Sequence, residues 1–441
     1  MRIAIIGSGI SGLTAAYLLN RKHDITLFEA DGRLGGHTAT VDVDENGRKL
    51  AVDTGFIVYN DWTYPNFIRL LKQLGVESQP TEMGFSVCDP AANFEYAGNS
   101  LNSIFARRSS LFSVGHWRML KDILRFNREA VRDWKRGVLN DTTTLGEYLI
   151  ENRYSSEFSE RYLVPMGSAI WSASLAQMRE FSVSFFIRFF INHGLLNIFN
   201  RPQWRVIRGG SRSYIEPMTK SFAHRIRLNT PVARVIRTEG GVEVVTSHGQ
   251  TEVFDEVVFA CHSDQALACL GDASEDERNI LGAIPYARNS VVLHTDTGLL
   301  PSRRRSWASW NYRLQAGEDR LPVLTYNMNI LQQLNTDKTY CVTLNAEEAI
   351  DPNQVVGRFE YAHPQFSVDG MRAQRQWQKI NGVNQTWYCG AYWANGFHED
   401  GVSSALRVAC ALGVTLDDME SAVAESSLAG LHGDPNGYPL A

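Results

Sequence analysis

The chain opens on an apolar run, Ile3 to Ile6, that breaks into Gly7-Ser-Gly9-Ile-Ser-Gly12 and resumes as an apolar stretch from Leu13 to Leu19. A short apolar run ended by glycine predicts a buried strand, and the longer stretch predicts a helix. Asp24 to Phe28 predicts a second strand, closed by Glu29. Alternation over Thr40 to Val43 and Lys49 to Val52, around Glu45-Asn46-Gly47, predicts a hairpin. Tyr64 to Leu74 sets Phe67, Leu70, Leu71 and Leu74 on one helical face. Helical spacing dominates from Leu101 to about Ile191 and is clearest over Trp117 to Val138. Thr144-Leu-Gly-Glu147 reads as a capping box ahead of Tyr148 to Glu151.

After Trp204 the pattern turns to strands. They are predicted over Arg225 to Leu228, Val232 to Thr238, Val242 to His248 and Val257 to Ala260, with Gly240-Gly241 as a hairpin turn. Tyr286 to Thr295, Pro322 to Met328, Thr339 to Leu344 and Trp387 to Cys389 are further strands. Ser403 to Leu412 predicts a helix, and Thr415 to Ala424 a surface helix before a tail.

One segment has two readings. Phe181 to Phe199 holds Phe181, Phe185, Phe186, Phe189, Phe190 and Phe199 with Leu195 and Leu196, apolar on more than one face. A buried core helix fits. A lipid-shaped tunnel or a membrane-dipping patch fits too. Arg188 and His193 inside it argue against a membrane-crossing helix.

Composition narrows the class. Over 441 residues, 44% hydrophobic and 21% charged residues describe an ordinary globular protein of two or three domains. A net charge of −5 gives no electrostatic case for nucleic acid. The six cysteines form no C-x-x-C pair and no zinc-ligand spacing, so no metal site is expected. Scattered thiols suit a reducing compartment, and a cytoplasmic or membrane-peripheral location is expected. Arg2 before an apolar run imitates a signal peptide, but its glycines sit at nucleotide-binding spacing.

The opening motif carries the chemistry. Gly7 permits the tight turn, Gly9 lets a pyrophosphate approach the backbone, and Gly12 lets helix and strand pack closely. The free N–H groups at the helix start face the phosphates. A strand before, a helix after and an acid ending the next strand supply the context that a lone G-x-G-x-x-G lacks.

With Glu29 and Arg33-Leu-Gly-Gly36, this opening resembles the flavin-containing amine oxidases, a superfamily that also holds protoporphyrinogen oxidase and the phytoene desaturases. Arg208-Gly-Gly-Ser211, Pro231-Val232, Asp255 to Ala260, Gly390, and His398-Glu-Asp-Gly-Val402 with Ser404-Ala405 continue the resemblance. Arg303 to Tyr312, Tyr326 to Asn329, His363-Pro364 and Cys389 to Trp393 are similar to a bacterial branch described as NAD/FAD-binding proteins. That branch is similar to desaturases of modified fatty acyl chains, including those leading to furan fatty acids.

The resemblance implies an α/β, two-domain FAD-dependent amine-oxidase-like fold, with a Rossmann-type FAD domain and a mixed α+β substrate domain. Residues 1–100, 200–285 and 380–415 are expected in the FAD domain, 101–199 and 286–379 in the substrate domain, and 416–441 in a surface helix and tail. It implies that Gly7, Ser8, Gly9, Ser11 and Gly12 hold the pyrophosphate. Glu29, next to Ala30, binds the adenosine ribose. Arg33, Gly35 and Gly36, with His37 and Thr38, flank the phosphates and ribityl chain. Gly55, Phe56 and Ile57 approach the flavin ring, Val232 the adenine. Gly390, Asp400, Gly401 and Val402 form the last flavin motif, with Val402 offering an N–H at the start of the final helix.

The sequence departs from the pattern at His37, where many relatives carry arginine, and at Ala391, where an acid is common. The strand Tyr286 to His294 lacks the lysine that amine oxidases usually place there. The expected activity is therefore dehydrogenation of an apolar substrate such as a modified fatty acyl chain, by hydride transfer to the flavin. Amine oxidation and non-catalytic FAD binding are the alternatives. His398 is the first candidate base, with His294, His363, Tyr392 and Tyr326 as others; the expected catalytic residues are His398, Tyr392 and Trp393, the last two as an aromatic wall or as plain core. Arg303-Arg-Arg305 reads as a headgroup site or a solvated turn. The electron acceptor (oxygen, quinone or a carrier) stays open, as does peripheral membrane contact.

Overall fold

The apolar runs that open the chain pair with each other. In the computed structural model, which describes residues 1–417, Arg2–Ile6 lies at the centre of a five-stranded sheet. Its strand order is Ile226–Arg227, Asp24–Phe28, Arg2–Ile6, Glu256–Phe259, Thr386–Tyr388. All four pairings are parallel, with Ile3 opposite both Ile25 and Glu256. Ile3, Ala4 and Ile5 are fully buried, as a strand covered on both faces requires. Segments from the start, middle and end of the chain thus share one sheet.

A seven-stranded sheet forms the second layer. Val355–Pro364 and Tyr286–His294 pair antiparallel along almost their whole length, followed by Cys341–Leu344, Val323–Asn327, Trp310–Arg313, Phe85–Asp89 and Phe94–Ala97. One face packs on the hairpin Thr40–Glu45/Arg48–Asp53 through Val291, Leu293 and Val342 against Val43, Leu50 and Val52. Farther along the sheet, Tyr312, Leu324 and Val87 meet Met119 and Ala169 of the helical layer.

Two expectations change here. Phe85–Asp89 and Phe94–Ala97 belong to the seven-stranded sheet, Phe85 lying opposite Trp310, so the expected boundary at residue 100 falls too late for them. Pairing across such sequence distance leaves no local signal. The final helix runs His398–Ala411 and begins five residues before the expected Ser403. Asp400 explains the early start: its carboxylate accepts the N–H groups of Asn395 and Phe397, fixing the turn. The surface helix expected over Thr415 to Ala424 and the tail lie mostly outside the described residues.

The phenylalanine-rich segment resolves toward the core reading. Within and beside the helix Val183–Asn192, Phe181, Phe185, Phe186, Phe189 and Phe190 are at most 4% exposed. They pack with Trp171, Phe158 and Met178. Ile198 and Phe199 stay exposed. Among the described residues no helix is long and apolar enough to cross a membrane.

Candidate functional site

The site grows from the turn after the first strand. The Gly7 N–H donates to the Phe28 carbonyl at 2.8 Å, bending the chain toward the helix Ile10–Leu19. A Cβ on Gly12 would lie 1.9 Å from the Gly7 carbonyl oxygen, so only glycine lets this helix start so close to the strand. A Cβ on Gly9 would meet nothing within 4 Å, which leaves its backbone approachable. No acidic side chain occupies the first turn of the helix, so its N-terminus keeps its positive dipole end.

Glu29 sits beside this turn as expected. One carboxylate oxygen accepts the Ser8 N–H at 2.9 Å and the Ser8 hydroxyl, and the other accepts the Asp31 N–H at 2.9 Å. Ala30 is exposed next to it. The loop Arg33 to Thr38 closes over the glycines. Gly35 N–H donates to the Ser8 carbonyl at 3.0 Å, and Gly36 faces Gly9. Arg33 reaches the carbonyls of Gly36 and Thr38 at 2.9 and 3.2 Å and so braces the loop.

The final helix meets this loop from the far end of the sequence. A Cβ on Gly401 would come within 2.7 Å of Ile10 and 2.9 Å of the Ser11 hydroxyl, so the two helix starts pack against each other. The Gly390 N–H donates to the Ser404 hydroxyl at 2.9 Å, tying the last strand to that helix. Val402 is fully buried and is the fifth helical residue. The Gly401 N–H already bonds the Phe397 carbonyl, so the helical ladder begins before Val402, whose N–H lies inside the helix and not at its open start. That corrects the expectation for Val402. The Asp400 carboxylate, expected at the cofactor, caps its own turn.

Several residues that sequence reasoning missed hold this arrangement. Glu399 accepts the N–H groups of Asn66 and Phe67 at 3.1 and 2.9 Å and caps the helix Pro65–Gln73. Burial lifts its carboxyl to about 7. Asp53 accepts from Thr40, the Ser211 N–H and Gln332, joining the hairpin to the Gly209-Gly210 turn, and burial lifts it to about 6. The Arg208-Gly-Gly-Ser211 motif was the available signal for this contact.

His398 is buried. Its Nε2 lies 3.1 Å from the Thr38 hydroxyl and 3.2 Å from the Tyr214 hydroxyl, which also bond each other. Its ring stacks on Phe56 with centroids 3.4 Å apart. Burial drives its pKa well below the ordinary histidine value, so the ring is neutral. Gly55 and Phe56 lie against the His37 backbone, the Phe56 N–H donating to the His37 carbonyl at 2.7 Å, and Ile57 is buried beside them.

Between the two sheets lies a group of neutral imidazoles. The His37 ring sits 5.9 Å from His262, 5.4 Å from His363 and 5.2 Å from Tyr361. Burial lowers His37 and His262 to about 4 and His363 to about 3. The Asn289 amide donates to His363 Nδ1 at 3.0 Å, which leaves the proton on Nε2. Among the described residues no group of three His, Cys, Asp or Glu side chains could hold a metal ion.

Tyr392 and Trp393 pack at 4.9 Å and are buried. The Tyr392 hydroxyl, Trp393 Nε1 and His37 Nε2 are buried without a hydrogen-bond partner among the described residues. Buried polar atoms are ordinarily paired, so three such atoms around the junction of the sheets fit a polar ligand. Val232, expected at the adenine, begins the strand Val232–Thr238 and is partly buried. His294 lies away from these rings, bonded to Thr343 at 2.7 Å. Tyr326 packs edge-on to Trp310.

A glycine loop with an open approach, a helix dipole, a carboxylate at the end of the second strand and orphaned polar atoms fit a dinucleotide ending in a polar ring system. Comparison with known proteins agrees. The model of a family described as flavin containing amine oxidoreductase matches residues 10–295. Amine oxidase [flavin-containing] B of Bos taurus is 25% identical over 254 residues, 55% of this chain and 47% of that protein. The chain spans about half the length of the curated relatives it matches. Putrescine oxidase bound to putrescine superposes with a TM-score of 0.66 at 16% identity, covering 93% of this chain and 99% of that one. A fatty acid isomerase from P. acnes superposes with a TM-score of 0.65 at 14% identity, covering 96% and 98%.

Proposed function

The chain belongs to the flavin containing amine oxidoreductase family, and we propose that it is an oxidoreductase that dehydrogenates an apolar, acyl-chain-like substrate. FAD is its cofactor. In this reading the loop Gly7 to Gly12 and the helix it opens hold the pyrophosphate, and Glu29 takes the adenosine ribose. Gly36, Phe56 and the start of the final helix border the flavin. The chemistry that FAD supplies when bound is acceptance of a hydride.

The observation that carries the reading is that Tyr286–His294 brings no cation toward the nucleotide half. On its inward side Val291 and Leu293 close on the hairpin Thr40–Glu45/Arg48–Asp53, and Asn289 bonds His363. Amine oxidases usually carry a lysine on this strand. Its single arginine, Arg288, is exposed and pairs with Glu360 at 2.9 Å. A strand with no inward cation favours an uncharged substrate, held by burial at about 0.8 kcal/mol per CH₂. The neutral imidazoles of His37, His262 and His363 add no charge there.

His398 acts as a positioning residue in this proposal. Its Nε2 is held between two hydroxyls, and its ring sets Phe56. The proton released with the hydride then passes to water, and Tyr392 and Trp393 exclude bulk solvent from one side. Oxidation of an amine is the second reading, favoured by that same aromatic pair, whose faces suit a cation. The fold does not choose, since it houses proteins named for putrescine and for a fatty acid.

Anaerobic stopped-flow reduction of the purified yellow protein tests the choice. Unsaturated or methylated acyl lipids should bleach the flavin while primary and secondary amines do not. Bleaching by amines alone gives the site to the second reading.

A further inference from the structure

Helix Val114–Lys135 presents to solvent a face made only of cations and apolar groups. Its exposed residues are Val114, Trp117, Arg118, Lys121, Leu124, Arg128, Arg132 and Lys135. Their spacing of three and four keeps them along one side of a rod about 33 Å long. The acids of the same helix turn inward and are used there. Asp122 accepts from the Ser155 N–H and hydroxyl, Glu129 from the Tyr154 hydroxyl, and Asp133 from the Tyr148 hydroxyl.

The apolar part extends into the preceding turn, where Phe112 is 89% exposed, next to Val114 at 73%. From residue 98 to residue 121 there is no Asp or Glu, while Arg107, Arg108, Arg118 and Lys121 are present. This concentration lies on a protein whose net charge is −5. Arg118 lies 3.4 Å from Glu157, and Arg132 pairs with the neighbouring Asp133. Lys121, Arg128 and Lys135 make no ion pair among the described residues.

We propose that this face docks on an anionic lipid bilayer, with the Phe112, Val114 and Trp117 side chains entering the headgroup boundary and Lys121, Arg128 and Lys135 meeting lipid phosphates and carboxylates. Cations alone would suit any polyanion. Large apolar side chains on the same stripe select a surface with an apolar interior. The opposite side of the helix, through Met119 and Phe126, packs on the clusters that form the helical layer. The docked protein would therefore hold its substrate half nearest the lipid. The proposal does not rest on the acyl-chain reading, because vesicle binding needs no turnover.

Flotation of the full chain, loaded with FAD, on phosphatidylcholine vesicles with and without phosphatidylglycerol tests it. Binding should require the anionic lipid and disappear at high salt. Lys121→Glu with Arg128→Glu should lower partitioning at least about tenfold. Phe112→Ser with Val114→Ser should lower it with the charges intact. Unchanged flavin absorbance and near-ultraviolet circular dichroism would show that each variant folds. No flotation, equal flotation on neutral vesicles, insensitivity to the charge reversals, or binding to single-stranded oligonucleotides without binding to vesicles would each overturn it.

Discussion

Two helices packed in the same cluster are built by opposite rules. Val183–Asn192 is the most phenylalanine-rich element of the chain and hides nearly all of it. Val114–Lys135 is crowded with charge, yet Val114, Trp117 and Leu124 stay in solvent. Phe126 and Ala130 of the second helix share the core of the first. Apolar content therefore says how much a helix can bury, and neighbours decide which side is covered. The face with chemical meaning on the surface is the one where exposed apolar groups stand beside unpaired cations.

Truncating the buried helix is the strongest way to sharpen that contrast. Phe186 is fully buried, stacks on Phe190 with centroids 4.1 Å apart, and closes over Gly167. Phe186→Ala should cost about 3–5 kcal/mol in urea unfolding, because the cavity cannot collapse around so many rings. A cost below about 1 kcal/mol would mean that this cluster is loosely packed, and the contrast would fail.

The final helix extends the comparison to buried charge. Its Glu399 carboxyl, lifted by burial from 4.5 to about 7, favours the folded state while protonated. The sign follows from a raised folded-state value: the contribution is complete below 4.5 and is lost as pH rises through about 7. Stability of the wild type should fall over that window by an amount on the order of 3 kcal/mol from this group. Asp53, lifted to about 6, adds to the same slope. Glu399→Gln should flatten it, as read from denaturant midpoints at successive pH values. An unchanged slope would remove Glu399 from the account.

Legibility followed the same division between local and distant contacts. The glycine turn, the first two strands, the Asn46-Gly47 hairpin and the Thr144 capping box were readable because each is written within a few residues. The approach of Gly12 to Gly7 is fixed by spacing alone. By contrast, Val402 was misread because the helix start depends on a cap made by Asp400 to Asn395 and Phe397. Tyr214 beside His398 and Glu399 beneath Phe67 join residues far apart in sequence, where no period or motif announces the contact. The strand Val355–Pro364 escaped notice because its inward side is mostly only partly buried and carries Gly357 where a large apolar residue would mark the period.

At the nucleotide end the contrast becomes one of backbone against side chain. Most of the loop presents main-chain atoms, which substitution cannot remove, and Glu29 is its side-chain acceptor. Glu29→Ala should weaken FAD by about 1.5–3 kcal/mol, the range for a hydrogen bond to a charged group. Equilibrium dialysis of flavin against the variant would measure it. Since Glu29 also holds the Ser8 N–H and hydroxyl and the Asp31 N–H, apo-protein stability must be followed in parallel. If FAD affinity is unchanged while stability falls, Glu29 only shapes the loop.

The smallest expected effect bears most directly on the two helices. Leu124 is 55% exposed on Val114–Lys135, between Lys121 and Arg128 on the outward side. Leu124→Ala removes little buried area and replaces leucine by a slightly better helix former. Unfolding free energy should stay within about 0.5 kcal/mol of wild type, as for most surface changes. The corresponding truncation in the phenylalanine-rich helix, Ile187→Ala at a fully buried position, should cost about 2–5 kcal/mol. If Leu124→Ala instead costs as much as Ile187→Ala, the outward face is covered in the folded monomer. The bilayer-facing assignment would then lose its surface, and the two helices would obey one rule after all.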